Sequence, residues 1–266
     1  YYMVSLFYDY SEIYSQYERL KEKLKLSNKF FMVENSFKER PKRWWCPLPF
    51  TSLSSYPQGH YALCCEAKES PITCNDMTIG EFNNSEYMQE VKQAFLSDDA
   101  REYDIIKDAC KQCILKEEQG AISKRIREIQ WKNKNFIELK LLGNICNYAC
   151  IMCNPKNSSA IAELRGISYP KYFDLSDDWW SDFDKVAFDY NEFRFSSGEP
   201  FMSPTFNKII KRLEKIGHTD IKLQITTNGS ASPKVIKRLL ETFKKVSIIF
   251  SVDAWGKRNE FIRINS

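Results

Sequence analysis

Cys146-Asn-Tyr-Ala-Cys150-Ile-Met-Cys153 lies just past the strand-like run Phe136-Ile-Glu-Leu-Lys-Leu-Leu142. Thiolates are soft ligands that select iron–sulfur clusters, zinc or copper(I) over hard cations. Three of them are one short of a closed tetrahedral site, and an open position marks a catalytic rather than a structural metal. Two plainer readings compete. On a helix the three positions share one face and could be ordinary core cysteines. A zinc knuckle would need a fourth ligand, and no Cys or His lies between Cys153 and His218. Free cysteines seldom cluster without metal or redox chemistry, so the metal reading leads.

The rest of the composition is compatible with it. The chain has 266 residues, 43% hydrophobic and 14% aromatic, enough for a real core in one large domain or two modest ones. Lys and Arg number 39 against 35 Asp and Glu, a balance that does not point to nucleic acid or a membrane surface. No apolar run reaches the ~18 residues of a membrane span. Nine cysteines at close spacings and in odd number favour metal binding in a reducing compartment, so a cytoplasmic location is expected. The chain begins at Tyr1 and stops at Ser266 inside what reads as the start of a helix, so a fragment of a longer protein is expected.

Residues 1–43 form an N-terminal extension rich in Tyr, Lys and Glu, with a helix expected over Ser11–Lys25. The character changes at Trp44-Trp-Cys46-Pro-Leu-Pro-Phe50. Leu53–Ser55 and His60–Cys64 read as two short strands around a Pro57-Gln-Gly59 turn, which would draw Cys46 and Cys64 together. Cys110-Lys-Gln-Cys113 is a Cys-x2-Cys knuckle, able to grip one metal or cluster from a tight turn. With Cys46 and Cys64 it supplies four ligands, a closed set, which a structural zinc ribbon could also use. Cys65 adjoins a ligand and could exchange with Cys64; Cys74 is left over. Ser85–Leu96 and Glu117–Lys132 read as helices, the second on Ile122, Ile126 and Ile129.

From 136 onward strand and helix alternate. Phe136–Leu142, Glu192–Phe195, Ile221–Thr226 and Val246–Val252 are strand candidates. Between them run helices opening with Ser203-Pro204 and Ser232-Pro233, a Ser cap with Pro at the first helical position. Such units predict a parallel sheet with helices outside it and active residues at the carboxyl ends of the strands. Ser196-Ser-Gly198-Glu199-Pro200, Thr226-Thr-Asn228-Gly229 and Ser251-Val-Asp253 stand at those ends, with Glu260-Phe-Ile-Arg263 beyond.

Cys-x3-Cys-x2-Cys after a first strand resembles the signature of the radical S-adenosylmethionine (radical SAM) enzymes. The resemblance implies that Cys146, Cys150 and Cys153 hold three irons of a 4Fe–4S cluster whose fourth iron is chelated by S-adenosylmethionine. Met152 replaces the usual aromatic residue near the adenine. Gly198-Glu199-Pro200 is similar to the family's Gly-Gly-Glu-Pro turn, with Ser197 for the first glycine, and implies that Glu199 meets the amino group of the cofactor. Asn228 falls in a Thr-Asn-Gly turn like that of the family. Ser251 and Arg263 fall where the ribose or carboxylate is contacted. Cys46-x12-Gly59-x4-Cys64 with Cys110 and Cys113, followed by Glu117-x2-Gly120-x2-Ser123-x-Arg125, resembles the twitch and SPASM auxiliary modules and implies a second 4Fe–4S cluster, here N-terminal to the barrel.

The expected architecture is thus α/β: an auxiliary α+β module and connecting helix over 44–133, then a partial (βα) barrel over 134–266 with about four of six units. Val246–Val252 would be its open edge. The expected partners are S-adenosylmethionine, a one-electron donor such as flavodoxin or ferredoxin, and a substrate that relatives suggest is a peptide or protein. A zinc-stabilised binding module without catalysis is the alternative.

Overall fold

Leu53, Ile137, Phe193, Leu223 and Val246 stand in one row across five neighbouring strands, each paired in register with the next. The first four are at most 1% exposed, and this row carries the fold. The computed structural model describes residues 44–130, 135–140, 143–171 and 174–265. The extension 1–43 with its Ser11–Lys25 helix, Leu141–Leu142 and the end of the Glu117–Lys132 helix lie outside the described residues.

The strands are β1 (Ser52–Ser55), β2 (Tyr61–Ala62), β3 (Phe136–Leu139), β4 (Ala149–Cys150), β5 (Glu192–Phe195), β6 (Lys222–Thr227), β7 (Lys245–Phe250) and β8 (Arg263–Ile264). Six form one sheet in the order β2-β1-β3-β5-β6-β7. All its neighbours are parallel except the β1–β2 hairpin. The hairpin's β1 runs alongside β3, so the sheet crosses the expected 133/134 boundary and gains a fifth parallel strand. β7 lies at the free edge, the place expected for the last strand of a partial barrel. β4 and β8 make a separate antiparallel pair.

One face of the sheet is covered by helices. The helix Pro204–Lys215 opens with Ser203 accepting from the Phe206 amide (3.3 Å) and buries Phe206, Ile209, Ile210 and Leu213. The helix Pro233–Thr242 buries only Leu239, consistent with its place beside the edge strand. A helix not foreseen from the sequence, Asp177–Val186, inserts Trp179, Trp180 and Phe183, each at most 2% exposed. Fully burying each such aromatic is worth about 1.5–3 kcal/mol relative to exposure.

The 44–130 segment packs onto this frame. Ser85 caps a helix over Glu86–Leu96, as expected. The single helix expected over Glu117–Lys132 is instead two, Lys111–Glu118 and Lys124–Gln130. Gly120, at φ 78°, ends the first, and Ser123 Oγ accepts from the Ile126 amide (3.2 Å) to start the second. Among the described residues no helix is long and apolar enough to cross a membrane.

Candidate metal centre

The chain leaves β3 and passes at once through the three cysteines, because Ser159 and Asn144 fold the loop back on itself. Ser159 Oγ accepts from the Cys146 amide (3.0 Å) and the Ser159 amide donates to Asn144 O (2.7 Å). Ser158 Oγ donates to Tyr148 O (2.8 Å). Cys150 is buried, Cys146 and Cys153 half-buried. Burial is the main force raising the Cys146 and Cys153 thiols, with Cys150 adding charge repulsion.

The other strand-end motifs arrive at this loop. The Glu199 amide donates to Ile145 O (2.7 Å) and the Gly198 amide to Asn157 O (3.1 Å). A Cβ on Gly198 would stand 2.4 Å from Ile145 O, so the approach needs glycine. Ser197 holds φ 88° despite its side chain, which donates to Asn157 Oδ1 (3.1 Å). From β6, Asn228 Nδ2 donates to Asn147 Oδ1 (2.8 Å) and stands 3.9 Å from Cys146 Sγ. From β8, Arg263 Nη1 stands 3.5 Å from Cys150 Sγ, while its Nε is 2.6 Å from Asp253 Oδ2. The Ser251 amide donates to Thr227 O (2.8 Å), setting that residue beside the same turn. Met152 is 46% exposed.

Glu199 is 1% exposed and its carboxylate is already engaged. It accepts from Thr227 Oγ1 (2.7 Å), the Asn228 amide (2.7 Å) and the Phe201 amide (3.3 Å). Burial pushes it above the usual carboxylate range against the pull of these bonds. In this structure it fastens the β5 turn to the β6 turn. Asn147 and Asn157 were not singled out from the sequence, and Thr227 only as part of its Thr-Asn-Gly turn. Asn147 lies between the first two cysteines, and Asn157 opens the polar Asn-Ser-Ser run after the third, which are the available signals.

Cys46, Cys64, Cys110 and Cys113 line one pocket, walled by Trp44, Leu63, Phe95 and Arg125. The hairpin turn and the junction between the helices Asp104–Ala109 and Lys111–Glu118 bring them there. Burial dominates the upward displacement of the Cys46, Cys64 and Cys110 thiols, and each also feels at least one other member of the set. Arg125 is buried, bonds Glu117 through Nε (2.9 Å) and Nη2 (2.5 Å), and lies 4.6 Å from the Trp44 ring centre. Cys65 does not line this pocket; it faces Glu138, Lys124 and Lys140. Cys74 is buried elsewhere, near Asp76.

Among the described residues no three His, Cys, Asp or Glu side chains converge tightly enough to hold a single metal ion. A four-iron cluster makes a different demand, since each thiolate binds its own iron and the sulfurs need not meet at a point. Three thiols on a short loop, with Asn228 and Arg263 donors beside two of them, fit that group.

A three-cysteine loop and two polar turns thus stand together at the carboxyl ends of the parallel strands. The family model described as Radical SAM superfamily matches residues 141–265. GTP 3',8-cyclase of Clostridium acetobutylicum is 33% identical over 104 residues, 39% of this chain. The chain spans 30% of the length of that curated relative. These matches support a likeness of residues 141–265 to the radical SAM superfamily.

Proposed function

We propose that Cys146, Cys150 and Cys153 are the ligands of the 4Fe–4S cluster and that S-adenosylmethionine lies against Ser197, Gly198, Glu199, Asn228, Ser251 and Arg263. The observation that carries this is the meeting of the turns after β5 and β6, and of Arg263 from β8, on the loop that follows β3, through the Glu199 amide, Asn228 and Arg263 contacts. When bound, the cluster and cofactor supply one-electron cleavage to a 5′-deoxyadenosyl radical that takes hydrogen from a substrate. The chain's own part is to hold the loop, position donors beside the sulfurs and keep water out. Flavodoxin or ferredoxin is the proposed donor, and the cytoplasm the proposed location.

The pocket of Cys46, Cys64, Cys110 and Cys113 is proposed to hold a second, auxiliary 4Fe–4S cluster in a twitch-type module over 44–133. The shared pocket supports this, because each of four thiols lining one space can hold its own iron. For substrate, the name of the relative puts GTP beside the peptide or protein that the module resemblance suggested.

The test is iron, sulfide and zinc content after anaerobic reconstitution, for the unmodified chain and for Cys146/Cys150/Cys153→Ala. About eight irons falling to about four is the expected result. Iron unchanged by the triple substitution would discard the assignment of the triad, and zinc without sulfide would bring forward the non-catalytic module. Release of 5′-deoxyadenosine with dithionite, with and without GTP, tests the chemistry and that substrate.

A further inference from the structure

Among the described residues that line the pocket of Cys46, Cys64, Cys110 and Cys113, Arg125 alone carries a fixed charge; the rest of the wall is apolar. The Arg125 side chain is 4% exposed, and each nitrogen of its guanidinium is engaged. Nε (2.9 Å) and Nη2 (2.5 Å) meet the two oxygens of Glu117. Nη1 donates to the carbonyl of Trp45 (2.9 Å), the residue before Cys46. The Trp44 ring lies against the guanidinium, 4.6 Å from its carbon. The cation is therefore held in one place beside the sulfurs.

A buried arginine is costly unless it is paired. Glu117 pairs it, and itself accepts from Ser123 Oγ (2.5 Å) and Trp44 Nε1 (3.0 Å). Glu117 is not among the described lining residues, so the pair is an oriented dipole with its positive end toward the pocket. The charge of Arg125 acts on both Cys46 and Cys110. A brace between the helices Lys111–Glu118 and Lys124–Gln130 would serve as well with an uncharged hydrogen-bonded pair. A cation turned toward four thiols is what a brace does not need.

Four thiolates make a cluster held among them anionic, and an added electron increases that charge. In an apolar wall screening is weak, so a fixed cation beside the sulfurs favours the reduced state. Arginine suits the task because it keeps its proton in such surroundings. We propose that Arg125 sets the reduction potential of the four-cysteine site, making it easier to reduce, while Glu117 holds the guanidinium in position and moderates its charge. The proposal rests on the reading of this pocket as an iron–sulfur site.

The test is a redox titration followed by electron paramagnetic resonance, on the anaerobically reconstituted Cys146/Cys150/Cys153→Ala chain, in which the four-cysteine site is observed alone. Adding Arg125→Met with Glu117→Gln, which removes the whole pair, is expected to lower the ratio of reduced to oxidised cluster at a given potential roughly tenfold, about 59 mV for one electron. Glu117→Gln alone, which leaves the cation less compensated, is expected to move the potential the opposite way. Opposite signs are a signature that a loosened structure would not give, and Glu117→Gln carries the test by itself if the paired variant does not load iron. Arg125→Lys, which keeps the charge, should recover part of the shift, and exposed Lys211→Gln in the helix Pro204–Lys215 should leave the potential in place. Iron present with a potential that stays fixed, or that moves the same way in both variants, overturns the proposal alone. No iron in the starting chain, with or without zinc in its place, removes the iron–sulfur reading and the proposal with it.

Discussion

At the scale of single residues, two positions decide whether the loop and the sheet stay together. Gly198 is the first. Alanine there would place Cβ 2.4 Å from a backbone oxygen, and that oxygen belongs to Ile145, one residue before the first cysteine. The backbone must move, so Gly198→Ala should cost several kcal/mol and strip iron from the triad on reconstitution. Gly217→Ala is the control: φ is also positive (74°) but nothing lies within 4 Å, so it should cost only about 1–2 kcal/mol and leave iron intact. Glu192 is the second. Burial pushes its carboxyl up, but the hydrogen bond and charge of Arg194 and then of Lys222 outweigh burial and hold it below the usual range. A depressed carboxylate stabilises the fold above its unfolded pKa, and that contribution is lost as pH falls through its folded one. Glu192→Gln should therefore cost about 1–3 kcal/mol at neutral pH. The difference from the unmodified chain should shrink on acidification below about pH 4, read by urea unfolding at each pH.

At the scale of elements, what was legible followed from local pattern. The two Ser-Pro starts placed their helices, and Glu192–Phe195 was read to the residue, because caps and alternation are local. The Glu117–Lys132 helix was misread because its apolar positions, Ile122, Ile126 and Ile129, all lie beyond Gly120, and the helix was carried back across that residue. What breaks it is a side-chain network: Glu117 turns away to Ser123 (2.5 Å), Arg125 and Trp44 (3.0 Å). No spacing rule shows that Arg125 will be 4% exposed and need a carboxylate. The helix over Asp177–Val186 was missed although Ser176-Asp-Asp-Trp is a legible cap with two first-turn acids. The buried pair yields a prediction at this scale. Glu117→Ala leaves the Arg125 charge buried beside the four-cysteine pocket without its carboxylate, which should cost about 3–5 kcal/mol. Replacing Glu117 and Arg125 together with Gln and Met should cost less than Glu117→Ala alone, as denaturant midpoints at constant slope would show.

At the scale of the whole molecule, the cysteine sets and their strand-end companions were legible because each is a short word in the sequence. The continuity between 44–130 and the later strands was not, since β1 pairs with a partner more than 80 residues away and no local pattern encodes that register. Several links reinforce the β1–β3 ladder. Trp179 Nε1 donates to Tyr61 Oη (2.9 Å), the Gly80 amide to Asp182 Oδ2 (2.7 Å), and Asn83 Nδ2 to Tyr190 Oη (3.2 Å). Gln58 Nε2 donates to Lys156 O (2.9 Å), tying the hairpin turn to the cysteine loop itself. Separate domains would meet through few contacts and melt separately, whereas a shared sheet and core make one cooperative unit. The metal-free chain should therefore show one calorimetric transition, with calorimetric and van't Hoff enthalpies equal. Substitutions on either side of residue 133, such as Tyr61→Phe and Trp179→Phe, should shift that one transition. Two resolved transitions, each moved by only one substitution, would mean that the ladder does not join the halves into one folding unit. In that case loss of metal from the four-cysteine pocket would leave the triad loop untouched. A single transition instead predicts that serine at Cys46, Cys64, Cys110 and Cys113 lowers the melting temperature of the whole chain after reconstitution, including the strands that carry the triad.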